Sequence, residues 1–157
     1  MVKINIVAVG KVKEKYFTEG INEYAKRISK FAQLNIIEVQ EENFSKVDDG
    51  IIEIIKEKEC QRIMPHLKGT IIALAIEGKK YDSNSFSKTL QKFIDQSGGT
   101  VTFVIGGSYG LSDKIKCQAK ELISFSDMTF PHTMFRLMLS EQIYRAFSII
   151  SGSGYHK

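Results

Sequence analysis

Short runs rich in β-branched residues alternate along this chain with segments whose apolar residues recur at helical spacing. Lys3–Val9 (KINIVAV), Leu34–Val39 (LNIIEV), Thr70–Ile76 (TIIALAI) and Thr100–Ile105 (TVTFVI) read as strands. Between the first two, Glu14–Phe31 sets Phe17, Ile21, Tyr24 and Ile28 at intervals of four, three and four, the mark of an amphipathic helix. Ile51–Leu67 reads as a second helix, with Pro65 close to its end. A third, Asn84–Asp95, is capped by Asp82 or Ser83 and stopped by Gly98-Gly99; a fourth, Asp113–Glu121, is capped by Ser112. The segment LISFSDMTF holds a short fifth strand, and a long last helix runs from His132 to Ile150. Strands separated by helices pair in parallel through crossover connections, so the expected class is α/β, a three-layer parallel sheet. The chain of 157 residues suits one domain, 1–157, without repeat or linker.

Composition excludes more than it identifies. Hydrophobic residues make up 43% and charged residues 25%, which leaves no disordered or fibrous class open. No run of about 18 apolar residues exists, so no membrane partner is expected. The N-terminus MVKINIVAVGKVKEK has neither the apolar core nor the cleavage site of a signal peptide. Cys60 and Cys117 lie far apart with no CxxC neighbour. That spacing argues for a reducing, cytoplasmic compartment and against a metal site. A net charge of +4 permits a polyanionic partner without requiring one.

In open parallel sheets, ligands sit beyond the carboxyl ends of the strands. Three such ends are chemically suggestive: Ala75-Ile76-Glu77-Gly78, Ile105-Gly106-Gly107, and Phe125 to Phe130. The middle one, IGGSYGLS, is not a dinucleotide fingerprint, lacks the Gly-Lys-Ser/Thr ending of a P-loop, and carries no G-x-S-x-G nucleophile. Two readings stay open: a tight strand-to-helix turn, or a loop whose glycines admit a ligand close to the backbone.

The last helix is apolar around most of its circumference. Phe135, Leu139, Ile143, Ala146 and Ile150 form one stripe, and Met134, Leu137, Met138, Tyr144 and Phe147 fill much of the rest. Such a helix is either the centre of the core or part of a subunit interface near Phe135, Leu139 or Ile143. Glu141 and Arg145 stand at i, i+4 and can pair; Arg136 or Arg145 can instead face a phosphate. His132, His156 and Glu141 are the candidate proton acceptors. The tail SGSGYHK reads as mobile, yet it ends in an aromatic that can stack on a base, an imidazole, and a cation for a phosphate, Lys157. Lys11, Lys13 and Lys15 make a basic patch in the first loop, either solvated or turned to a polyanion.

Taken together, VAVGKVKEKY, FVIGGSYGLS, FSDMTFPHTMFRLMLSEQIYRAFSI and the terminal YHK resemble the bacterial 23S rRNA (pseudouridine-N3)-methyltransferases of the SPOUT class. The resemblance spans essentially the whole chain in the same motif order. It implies an α/β domain with a C-terminal trefoil knot, a feature that strand and helix periodicity cannot reveal. It also implies a cytoplasmic homodimer that uses S-adenosylmethionine to methylate N3 of a pseudouridine. The acceptor lies in the 23S rRNA stem-loop facing the decoding centre, on the assembled ribosome. By the same resemblance the methyl donor is held by Leu74, Gly106, Phe125, Ser126, Asp127, Met128, Thr129 and Phe130. His132, Arg136, Tyr155 and His156 become the catalytic candidates, Arg136, Arg145 and Lys157 the RNA contacts, and the tail is expected to complete the partner subunit's site. The rivals are a SPOUT enzyme acting elsewhere on RNA and a non-catalytic module that binds the ribosome.

Overall fold

The computed structural model describes all of residues 1–157. Five strands form one sheet in the order β2-β1-β4-β3-β5, and every neighbouring pair is parallel. They are β1 (Lys3–Val9), β2 (Gln33–Val39), β3 (Thr70–Lys80), β4 (Thr100–Ile105) and β5 (Glu121–Ser124). The helices are α1 (Lys15–Ile28), α2 (Asp49–Ile63), α3 (Ser83–Gln96), α4 (Asp113–Gln118) and α5 (His132–Ile150), with a 3-10 turn at Met64–His66 after α2.

Alternation along the strands divides the interior in two. Ile4, Ile6 and Ala8 of β1, with Val101, Phe103 and Ile105 of β4, pack against Ile28 of α1, Leu90 and Phe93 of α3, and Leu139, Ile143 and Phe147 of α5. On the opposite face Val7, Val9, Val39 and Val104 meet Cys60 and Ile63 of α2 and Ile115 of α4. Helices on both faces make the expected three layers. Leu139 and Ile143 are fully buried within the chain. Of the seam expected near Phe135, Leu139 or Ile143, the last two are core and have no surface left to offer a second subunit, whereas Phe135 is half-buried and Ile150 is 41% exposed.

Sequence and structure agree on β1, β4 and α5 to the residue and differ where tertiary pairing overrides local pattern. β3 continues to Lys80 because EGKK returns to the sheet. Ile72–Leu74 pair with Glu121–Ile123, four residues bulge out, and Lys79 and Lys80 pair again with Ile123 and Ser124. Gly78 makes that return possible: a Cβ there would stand 2.6 Å from the Ile123 amide nitrogen. α4 stops at Gln118 rather than Glu121, since Lys120 N already donates to Ile71 O at 2.7 Å and Glu121 enters β5. Pro65 falls in the 3-10 turn, so α2 ends at Ile63.

Candidate functional site

The strand order places β4, β3 and β5 side by side, so their three carboxyl ends are neighbours although far apart in sequence. Ala75–Gly78 bulges from the middle strand. On one side the Gly106–Gly110 loop closes on itself, with Gly110 N donating to Gly107 O at 3.1 Å. On the other, Phe125–Phe130 leaves β5 in a turn that Ser126 holds: its carbonyl accepts from Ser124 Oγ at 3.0 Å and its hydroxyl from Met128 N at 3.1 Å. Phe125 and Phe130 both pack on Phe135 of α5, with centroids 5.8 and 5.6 Å away. Asp127, Met128 and Thr129 are exposed, Met128 at 72%, as is the bulge residue Ile76 at 56%. Leu74 is half-buried and packs on the core. Lys80 forms an ion pair with Asp127, tying the turn to β3, and Lys116 pairs with Glu77 at 2.7 Å, tying the bulge to α4.

These elements suit an adenosyl group held by its edges. Apolar side chains stand open at Ile76 and Met128, and bent backbone at 106–107 and 125–130 offers amides and carbonyls. The need for glycine at 106, however, is the loop's own. A Cβ there would lie 2.8 Å from Gly110 C and 3.0 Å from Leu111 Cγ, before any ligand is considered.

His132 and Arg136 begin α5 over the carboxyl end of β1. His132 is half-buried beside Gly10, whose φ of +89° lets the chain turn under the ring. Burial first, with Arg136 adding to it and Glu41 opposing, holds the His132 imidazole below its usual range. Arg136 is 1% exposed. Its guanidinium pairs with Glu38 and donates to Val9 O at 3.0 Å and Gly10 O at 2.7 Å. It is a strut between α5 and the ends of β1 and β2. The phosphate role expected of it is corrected: its donors point inward and their surface is gone.

Glu141, Arg145, Tyr155 and His156 come together. Arg145 donates to Glu141 Oε1 from Nε at 2.9 Å and from its second nitrogen at 2.6 Å. Tyr155 donates to the same oxygen at 3.1 Å, and the Arg145 guanidinium lies over the Tyr155 ring at 4.7 Å. Another Arg145 nitrogen faces His156 Nδ1 at 3.0 Å. The tail is thus folded on its own α5, not loose as its glycines imply. Burial, then the Tyr24 hydroxyl and the Glu141 carboxylate, push the Tyr155 phenol well above its usual range, so it stays a donor. Lys157 is exposed, as are Lys11, Lys13 and Lys15. A cavity of about 790 Å3 lies between the tail and the Phe125–Phe130 turn, lined by Tyr24, Tyr81, Phe125, Glu141, Gln142 and His156 among others.

The model of the family described as SPOUT methyltransferases matches residues 2–156. The chain belongs to this family. It is 50% identical to the ribosomal RNA large subunit methyltransferase H of Streptococcus uberis, over 99% of each chain. The protein of the same name from Bacillus pumilus is 46% identical, over 98% of this chain and 99% of its own. Among solved structures, a methylase-family protein from Haemophilus influenzae superposes with a TM-score of 0.54 at 10% identity, covering 99% of this chain and 70% of that one. A Legionella pneumophila structure described as a methyltransferase in complex with bound SAM gives 0.50 at 12% identity, covering 92% and 66%. At such identities the structures speak for the fold alone, which is the SPOUT fold.

Two features of this SPOUT domain escaped sequence reasoning. Tyr24 and Tyr81 line the cavity, yet Tyr24 occupies an apolar stripe position and reads as core. Glu59 of α2 is 3% exposed beneath the glycine loop, its carboxylate 3.1 Å from where a Gly107 Cβ would be, and it accepts from Glu42 N at 3.0 Å. Helical spacing offers no signal for either. No helix is long and apolar enough to cross a membrane.

Proposed function

We propose that this chain transfers the methyl group of S-adenosylmethionine to N3 of a pseudouridine in 23S rRNA. The acceptor is the stem-loop facing the decoding centre on the assembled ribosome, and the enzyme works as a cytoplasmic homodimer. The observation that carries this reading is the meeting of three loops at the carboxyl edge of β4-β3-β5, beside a cavity lined by Glu141 and His156. Relatives named as large-subunit rRNA methyltransferases support the substrate class. The α5 helix, returning over α1 and α3, is threaded as the C-terminal knot in this reading.

Leu74, Gly106 and Phe125 to Phe130 would hold the donor, Ser126 keeping the turn in shape, Met128 covering the adenosyl face, and Asp127 and Thr129 contributing backbone. When bound, the donor supplies a methyl on a sulfonium centre. The N3–C bond forms as the S–C bond breaks, and N3 loses its imino proton. Arg145 donates to His156 Nδ1, so the neutral ring carries its proton on Nε2 and offers a hydrogen bond to a carbonyl of the base. Glu141 Oε2, accepting only from Gln142 Nε2 at 2.9 Å, has room for the departing proton. Tyr155 and Arg145 fix both groups, and Lys157 meets a phosphate.

Calorimetry with S-adenosylmethionine, then methyl transfer to ribosomes against free rRNA with mass spectrometry of the nucleosides, tests this. Donor binding and an N3-methylated pseudouridine are expected. Methylation at another nucleotide would favour the sister activity, and no donor binding would leave a ribosome-binding module. The contacts seat the tail against its own chain's cavity, whereas the resemblance has it complete the partner's site in the dimer, and a mixed dimer decides between the two. With the tail acting across the dimer, a tailless subunit paired with a donor-blocked one retains about half the activity, a simple count of intact sites; near-zero activity assigns the tail to its own chain's cavity.

A further inference from the structure

The tail is held by more than α5. Arg27 of α1 places its guanidinium 5.4 Å from the Tyr24 ring and 5.7 Å from the Tyr144 ring, bridging α1 to α5. Its ion pair with Glu23 at 3.0 Å, one helical turn back, fixes the guanidinium from the side and leaves its face on the rings. Tyr144 in turn meets Tyr155 edge to face, centroids 4.7 Å apart, while Arg145 covers the Tyr155 ring. The two helices come this close because position 20 is glycine: a Cβ there would lie 2.8 Å from Leu137 Cδ1. The result is a chain of contacts running from Arg27 through Tyr144 and Tyr155 to Arg145, with Tyr24 against its side and lining the same cavity as His156.

We propose that Tyr24 and Arg27 are positioning residues for the reaction. They form a socket on α1 that seats Tyr155 and thereby fixes His156 at the cavity wall. Neither belongs to the donor segments, and the Arg27 side chain is 41% exposed, so donor binding is expected to survive the loss of either. The consequence rests on the proposed role of the tail in methyl transfer, whereas the socket itself does not.

The test uses full-length Arg27→Ala and Tyr24→Leu, with Arg27→Gln, which keeps a polar side chain without the guanidinium, as a second variant should either fold poorly. Three quantities are read: the rate at which a carboxypeptidase releases Lys157 and His156, the affinity for S-adenosylmethionine, and kcat and KM for methylation of ribosomes. The expected result is tail release faster by about tenfold, a similar fall in kcat, and donor affinity and ribosome KM within about twofold. Unchanged tail release in all variants overturns the socket. Faster release with unchanged kcat leaves the socket standing and overturns the part of the proposal in which the seated tail serves the chemistry. A rise in ribosome KM at constant kcat also overturns it, since Tyr24 and Arg27 would then be ordinary RNA contacts.

Discussion

Arg136 and Glu38 form an ion pair in which the arginine side chain is 1% exposed and the glutamate 39%. The same guanidinium satisfies the carbonyls of Val9 and Gly10. Its loss strands two buried acceptors and frees a carboxylate that can turn to water. Arg136→Met should therefore destabilise by about 3 kcal/mol, the lower end for breaking a buried pair, because Glu38 is partly solvated. Urea unfolding measures it, and a loss under about 1 kcal/mol would show the strut to be ornamental.

Arg136 also shows where sequence reading stops. Its neighbours Phe135 and Leu137 mark an apolar helix, but nothing in the spacing tells whether its head reaches water or the ends of two strands thirty residues apart in the chain. The strands were legible because alternating burial writes itself into β-branched runs, and the caps Asp82 and Ser112 because few residues bond the first turn of a helix. The bulge in β3 was not. EGKK is polar and reads as loop, and only its pairing with β5 makes it strand. The three segments proposed to hold the donor read in the sequence as separate strand ends; their adjacency depends on strand order, which periodicity does not encode.

Gly106 and Gly78 are constrained by backbone that is present without any ligand. Gly78→Ala would drive a methyl against the Ile123 amide 2.6 Å away, and Gly106→Ala against the backbone of Gly110 at 2.8 Å. Each should lower the stability of the unliganded protein by about 1–3 kcal/mol, as overpacking does. Gly106→Ala should also weaken donor binding, through a displaced loop. Thermal unfolding without donor separates this from simple blockage of the pocket, which would leave the unliganded midpoint where it was.

Glu59 carries a buried carboxyl whose pKa is raised above the ordinary range, chiefly by burial, with Glu41 adding to it and the Glu42 amide opposing. A group with a raised folded-state pKa favours folding most when protonated. Its contribution is full below the unfolded value, about 4.3, and is lost as pH rises through the folded value. Glu59→Gln mimics the protonated form and keeps an acceptor for Glu42 N. The variant should be more stable than the parent at pH 8, and the difference should vanish as pH falls below about 4. A parent that is the more stable of the two at pH 8 would mean that the charge itself is used, for instance to hold the loop above it.

Removing Tyr155, His156 and Lys157 tests the tail at both levels. As a loose end it would contribute nothing to stability. As seated here, it loses the edge-to-face pair with Tyr144 and the hydrogen bond to Glu141. An aromatic pair of this kind is worth roughly 0.5–1.5 kcal/mol, so a loss of about 1 kcal/mol is expected in urea unfolding. The donor turn is fixed by Ser126 and Phe135, not by the tail, so the affinity for S-adenosylmethionine should stay within about twofold of the parent, well under 1 kcal/mol. Methylation of ribosomes should fall by about a hundredfold, the scale for one lost hydrogen-bond donor at developing charge. Replacing His156 alone by Ala separates the two effects. It leaves the Tyr155 seat intact, so stability should hold while turnover falls nearly as far as in the deletion. If His156→Ala retains full turnover, the cavity wall is not where the acceptor base is held.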